Sequence, residues 1–102
     1  MANVMPEQRR RLTVYGQVQG VDLRWQIKKQ AELLQLVGWV KNEMARDCLS
    51  VEIEGEQRQV DNFIDWLKTS PGLSIVKSVT AAAQSLRYDK NFKIRYSNSW
   101  FL

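Results

Sequence analysis

RRRLTVYGQVQGVDLRWQIKKQAELL, residues 9–34, changes its periodicity once, and that change decides the fold. Over Arg9 to Tyr15, Leu12 and Val14 alternate with Arg11, Thr13 and Tyr15, the period of two of a half-buried strand. Gly16 ends it. Beyond Gly20, Leu23, Ile27, Ala31 and Leu34 fall at helical spacing and line one face. A strand therefore passes through a loop with a glycine at either end into an amphipathic helix, and Asp22 suits the helix start electrostatically.

Leu36 to Val40 is a short apolar run containing Trp39, and Leu49, Val51 and Ile53 alternate with Ser50, Glu52 and Glu54. Two strands joined by the polar turn Glu43 to Asp47 form a hairpin. Val60, Phe63, Ile64 and Leu67 then give a second amphipathic helix, stopped by Ser70-Pro71-Gly72. Ile75 to Ala81 predicts a fourth strand. Phe92, Ile94 and Tyr96, alternating with Lys93 and Arg95, predict a fifth. The order β-α-β-β-α-β with one strand added is an α+β, ferredoxin-like sandwich: an antiparallel sheet, two helices on one face, and an extra C-terminal strand. That topology hosts many activities and fixes none.

Composition narrows the chemistry. A chain of 102 residues with 44% hydrophobic and 25% charged residues makes one domain with a modest core. There is no histidine, which removes Ser/His/Asp and Cys/His catalysis, phosphohistidine and imidazole metal sites. The single Cys48 reads as a hairpin residue without chemistry. With one cysteine and no leader in Met1 to Pro6, a reduced, cytoplasmic location is expected. No run approaches the length of a membrane span. The net charge of +4 divides into +3 over residues 1–35, −3 over 36–70 and +4 over 71–102, so the positive charge sits at the two ends. A solvated surface explains it, and a small anionic ligand is the sharper reading.

The residues that can bind such an anion cluster at the first glycine loop. Gly16, Gln17, Val18, Gln19, Gly20 and Val21 join a strand to a helix N-terminus, where inward amides and the helix dipole favour a phosphate-sized anion. A tight turn that needs its glycines for conformation alone is the other reading of this loop. Arg24 stands in the first helical turn, the unfavourable end of the dipole for a cation, which makes sense beside a bound anion. The alternative is a solvated Arg24 paired with a carboxylate such as Asp22. Asn42 ends the second strand; it serves the turn, or its carboxamide holds a water.

Gly16-Gln17-Val18-Gln19-Gly20-Val21-Asp22-Leu23-Arg24 resembles the acylphosphatase signature G-x-V-Q-G-V-x-F-R. Further matches follow in order at Gly38-Trp39-Val40, Asn42, Gly55, Phe63-Ile64, Trp66-Leu67, Pro71 and Phe92-Lys93-Ile94-Arg95-Tyr96. The resemblance spans residues 9–96, leaving 1–8 as an N-terminal extension and Ser97 to Leu102 as a tail whose apolar end covers the core edge or, in the alternative, makes a partner contact. It implies hydrolysis of carboxylic-phosphoric anhydrides without metal or other cofactor, giving carboxylate and inorganic phosphate. It further implies that Arg24 and the amides of Gly16 to Val21 bind the phosphoryl group and that Asn42 positions water. Departures are Leu23 for phenylalanine, Asp22 at the variable position, the turn Glu43 to Cys48 in place of a D-G turn, and Gln35 and Ser70 in place of glycines.

The chemistry agrees. An acyl phosphate expels a carboxylate whose conjugate acid has a pKa of about 4, so no general acid is needed and the missing histidine is no obstacle. A noncatalytic anion- or nucleic-acid-binding module on the same scaffold is the alternative. Nucleic acid is disfavoured because the third strand carries Glu52 and Glu54 where an RNA-binding sheet needs aromatics, and because Trp25, Trp39 and Trp66 read as core or boundary residues. A monomer is expected, with small acyl phosphates as its partners and no membrane.

Overall fold

The computed structural model describes residues 6–45 and 47–96. The chain runs β1 (Glu7–Gln17), α1 (Leu23–Leu33), β2 (Val37–Asn42), β3 (Cys48–Glu56), α2 (Gln57–Lys68), β4 (Ile75–Gln84) and β5 (Phe92–Arg95). The strands form one sheet in the order β4-β1-β3-β2-β5. β1 pairs antiparallel with β3 and β4, and β2 antiparallel with β3, as the ferredoxin-like reading expects. The added strand departs from an all-antiparallel sheet, because β5 pairs parallel with β2. β1 starts at Glu7, within the stretch read as an extension, and β4 runs on to Gln84. The tail from Ser97 lies outside the described residues.

Both helices cover the face that carries the even-numbered residues of β1. Leu12 and Val14 of β1 stand opposite Val51 and Leu49 of β3, and Val40 of β2 stands opposite Val51. Leu23, Ile27 and Ala31 of α1 and Val60, Phe63, Ile64 and Leu67 of α2 close over them. Phe63 is fully buried, and its loss would cost about 3–5 kcal/mol by the usual cost of emptying a core position.

The other face is where the structure departs most from the sequence reading. Alternation on β3 predicts solvent beside Ser50, Glu52 and Glu54, yet all three are buried. The cause is the route from β4 to β5. Residues 85–91 must cross from one edge of the sheet to the other, about 19 Å at the usual strand spacing and within the ~23 Å reach of seven residues. They cross on the helix-free face. There Glu54 accepts hydrogen bonds from the backbone N–H groups of Arg87 and Tyr88 at 2.8 and 3.0 Å. Arg9 lies beneath, paired with Glu52 at 2.7 Å, Glu54 at 3.0 Å and Asp89 at 3.0 Å. The carboxylates that looked like surface charge are the buried, hydrogen-bonded floor of the crossing.

Candidate active site

β1 delivers the glycine loop to one end of the sheet, and it does so with an irregularity. The β1–β4 register shifts between Tyr15 and Gly16, where Gly16 takes a φ of +141°. A Cβ on Gly16 would lie 2.0 Å from the Ile75 carbonyl oxygen, so only glycine lets the two strands approach. The loop then turns at Gly20, with φ +72°, and enters α1 through Asp22, itself left-handed at φ 61°.

Asp22 stands at the N-cap but its side chain makes no capping hydrogen bond. The first helical bond runs from the Gln26 N–H to the Asp22 carbonyl. The amides of Leu23, Arg24 and Trp25, one turn earlier, therefore have no acceptor within the helix. These three residues, with Val18, Gly20, Asp22 and Asn42, line a cavity of about 220 Å³.

Arg24 and Asn42, eighteen positions apart, thus share one cavity. Arg24 forms no ion pair among the described residues; its guanidinium lies over the Tyr96 ring, 5.4 Å from the centroid. The Asn42 Oδ1 is buried and has no hydrogen-bond partner among the described residues. An acceptor left without a donor inside a polar cavity is a seat for water.

The remaining loop residues are placed differently. The Gly16 N–H donates to the Asp47 carbonyl at 3.0 Å, so it is not available to an anion, and Gln17 belongs to β1, opposite Ile75. Val18 is buried and contributes to the core. Val21 packs against that core from a partly buried position. Gln19 works through its side chain: Nε2 donates to the carbonyls of Glu43, Ala45 and Cys48 at 3.1, 2.7 and 2.8 Å. It ties the loop to the hairpin that carries Asn42.

Sequence reading missed Trp25. Read as a core or boundary residue, it is 57% exposed at the rim of the cavity. The signal was present, since Trp25 lies two residues, or about 200°, from Leu23 on the helical wheel and so off the buried stripe. Cys48 behaves as expected of a buried residue; burial, with Glu43 and Asp47 nearby, pushes its thiol above its ordinary range. Among the described residues no three of His, Cys, Asp or Glu gather where they could hold a metal ion, and no helix is long and apolar enough to cross a membrane.

The acylphosphatase family model matches residues 10–94. An acylphosphatase of Acaryochloris marina is 37% identical over 81 residues, which is 79% of this chain and 86% of that protein. The structure of an acylphosphatase from Coxiella burnetii superposes with a TM-score of 0.82 at 32% identity, covering 87% of this chain and 93% of that one. Full-length HypF, in its phosphate- and nucleotide-bound form, superposes with a TM-score of 0.85 at 29% identity, over 96% of this chain and 13% of its own.

Proposed function

The chain belongs to the acylphosphatase family and is an acylphosphatase, a hydrolase of acid anhydrides acting on acyl phosphates, and from this premise we propose how its residues divide the work. The phosphoryl group sits in the cavity of Gly20, Arg24 and Asn42. The free amides of Leu23, Arg24 and Trp25 and the Arg24 guanidinium bind its oxygens, which carry the charge of the transition state. The Asn42 Oδ1 accepts a hydrogen bond from a water and aims its lone pair at phosphorus.

The P–O bond to the new oxygen forms as the P–O bond to the acyl group breaks, and the electron pair leaves on the carboxylate. The water's proton passes to a phosphate oxygen, and inorganic phosphate departs. Fixed positive charge and an oriented water suffice, so no metal or other cofactor enters the proposal. The described residues of a single chain supply the groups invoked, in keeping with action as a monomer. The lone, buried thiol fits a reducing compartment such as the cytoplasm. The catalytic unit is residues 9–96, to which Glu7 and Gln8 are joined as the start of β1.

The observation that carries this reading is the unpartnered Asn42 Oδ1 in the same cavity as Arg24. The test is hydrolysis of an aryl acyl phosphate, with chelator present, by the wild type, Arg24→Ala and Asn42→Ala. Arg24→Ala is expected to lose about three orders of magnitude in turnover, together with competitive inhibition by inorganic phosphate. Asn42→Ala is expected to lose a comparable factor while phosphate still binds. Wild-type turnover by either folded variant would remove that residue from its role.

A further inference from the structure

The helix-free face of the sheet carries a second site that the hydrolytic chemistry does not use. The acids of β3 had spoken against nucleic acid, but Glu52 and Glu54 are 5% and 3% exposed, paired with Arg9 and covered by residues 85–91. What this face shows to solvent is basic and aromatic. Trp39 stands opposite Lys93, and Lys41 opposite Arg95, across the β2–β5 pair. Three cations lie over the Trp39 ring, Arg95 at 4.9 Å, Arg11 at 5.1 Å and Lys41 at 5.7 Å from its centroid. The Trp39 Nε1 is itself anchored on Glu52 at 2.9 Å. Cations normally free to wander are held here at fixed places.

Beside them a groove of about 570 Å³ opens between the crossing segment and β5, with Lys90, Lys93 and Arg95 in its wall beside one acid, Asp89, which is paired with Arg9. Tyr88 stands at its edge, 72% exposed. Its backbone is left-handed, φ 58°, a conformation disfavoured for any residue with a side chain, and the Glu54 carboxylate holds it there through the Tyr88 N–H. A buried carboxylate thus maintains a strained backbone whose result is an aromatic ring presented to solvent beside three cations. Strain of this kind collects where a side chain must be aimed.

We propose that this face binds single-stranded nucleic acid, a base stacking on Tyr88 and successive phosphates lying on Lys90, Lys93 and Arg95. Charge complementarity selects a polyanion, and the exposed ring selects one that carries flat bases. The groove is too large for a lone phosphate. Lys93 and Arg95 point the same way two residues apart on one strand, about 6.6 Å, a spacing comparable to that of neighbouring phosphates on an extended strand.

The test is fluorescence anisotropy of labelled oligo-dT and oligo-U titrated with the full chain at low salt. The expected Kd is ~1–100 µM, weakening with salt at a logarithmic slope near 2, or about 0.7 for each of three phosphate contacts. Lys90→Glu with Lys93→Glu is expected to weaken binding at least tenfold and flatten the slope, with acyl phosphate hydrolysis unchanged as proof of folding. Tyr88→Ala should weaken it about fivefold or more and Tyr88→Phe should not. Arg24→Ala should bind as the wild type does. Absence of binding at low salt, or indifference to the two charge reversals, would overturn the proposal. So would loss of binding in Arg24→Ala, which would place the strand in the catalytic cavity. Displacement by inorganic polyphosphate at equal charge, with Tyr88→Ala binding normally, would reduce the face to a general polyanion surface and equally overturn it.

Discussion

The Arg24 guanidinium lies 5.4 Å from the centre of the Tyr96 ring, so the cation proposed to hold the phosphoryl group is itself held by the residue that follows β5. The contact closes the chain on its own active site: α1 supplies the arginine and the residue after β5 supplies the surface beneath it. Because Tyr96 is 61% exposed, the interaction is worth little as stability and most as orientation.

Removing the ring should therefore leave the protein folded with a loosened Arg24. Tyr96→Ala is expected to raise KM for an aryl acyl phosphate and the inhibition constant of inorganic phosphate together, each by about 2–5-fold, as an exposed cation–π contact allows. Tyr96→Phe keeps the ring and should behave as the wild type. If phosphate inhibition were unchanged in Tyr96→Ala, the ring would have no hold on the arginine.

Arg9 makes a different kind of prediction. It is 2% exposed and faces Glu52, Glu54 and Asp89, and burial, which disfavours its charge, is outweighed by its hydrogen bonds to those carboxylates, so its pKa is raised. Arg9→Met would leave three acids together without a cation. The expected loss is about 3–5 kcal/mol in urea unfolding, typical of breaking a buried pair from one side. Arg9→Met combined with Glu54→Gln should recover part of it. Turnover per folded molecule should persist, because the network lies on the face opposite α1.

How far the sequence discloses this protein depends on the range of the interaction. The stripe of Leu23, Ile27 and Ala31 and the alternation of Leu49, Val51 and Ile53 are local patterns, and the core follows from them. Arg24 and Asn42 were legible through the motifs that flank them, whereas the diversion of the Gly16 amide to Asp47 was not, because the partner lies across the hairpin turn. Arg9 meets its carboxylates 43, 45 and 80 positions along the chain, and no window contains that pattern. The parallel pairing of β5 was hidden for the same reason: it depends on the route of residues 85–91, which periodicity does not describe.

Cys48 gives the pH dependence. Burial first, then Glu43 and Asp47, raise its thiol above the ordinary value of 9.0. A group whose pKa is raised on folding contributes stability that is complete below the unfolded pKa and lost as pH climbs through the folded one. The wild type should therefore lose stability relative to Cys48→Ala as pH rises above about 9, with a constant difference below it. Urea midpoints of the two proteins across pH 6 to 10.5 would show it. Parallel curves to the top of that range would mean that the thiol titrates as freely folded as unfolded.

Gln35 and Ser70 stand where the family usually has glycine, and both keep the left-handed backbone a glycine would adopt, with φ 59° and 58°. The two substitutions are not equivalent. The Ser70 Oγ accepts a hydrogen bond from the Val76 N–H at 2.9 Å, offsetting the strain with a contact that fixes the entry to β4. The Gln35 side chain is exposed and makes no hydrogen bond among the described residues, so nothing offsets its strain. Gln35→Gly is expected to stabilise the protein by about 0.5–1 kcal/mol, the relief of a left-handed residue less the added entropy of glycine in the unfolded chain. Ser70→Gly relieves similar strain but leaves the Val76 N–H without its acceptor, and should be neutral or destabilising by up to about 1 kcal/mol. Thermal unfolding of both variants decides it: a gain at Ser70 as large as that at Gln35 would mean that the hydroxyl contributes nothing and that conformation alone sets the balance.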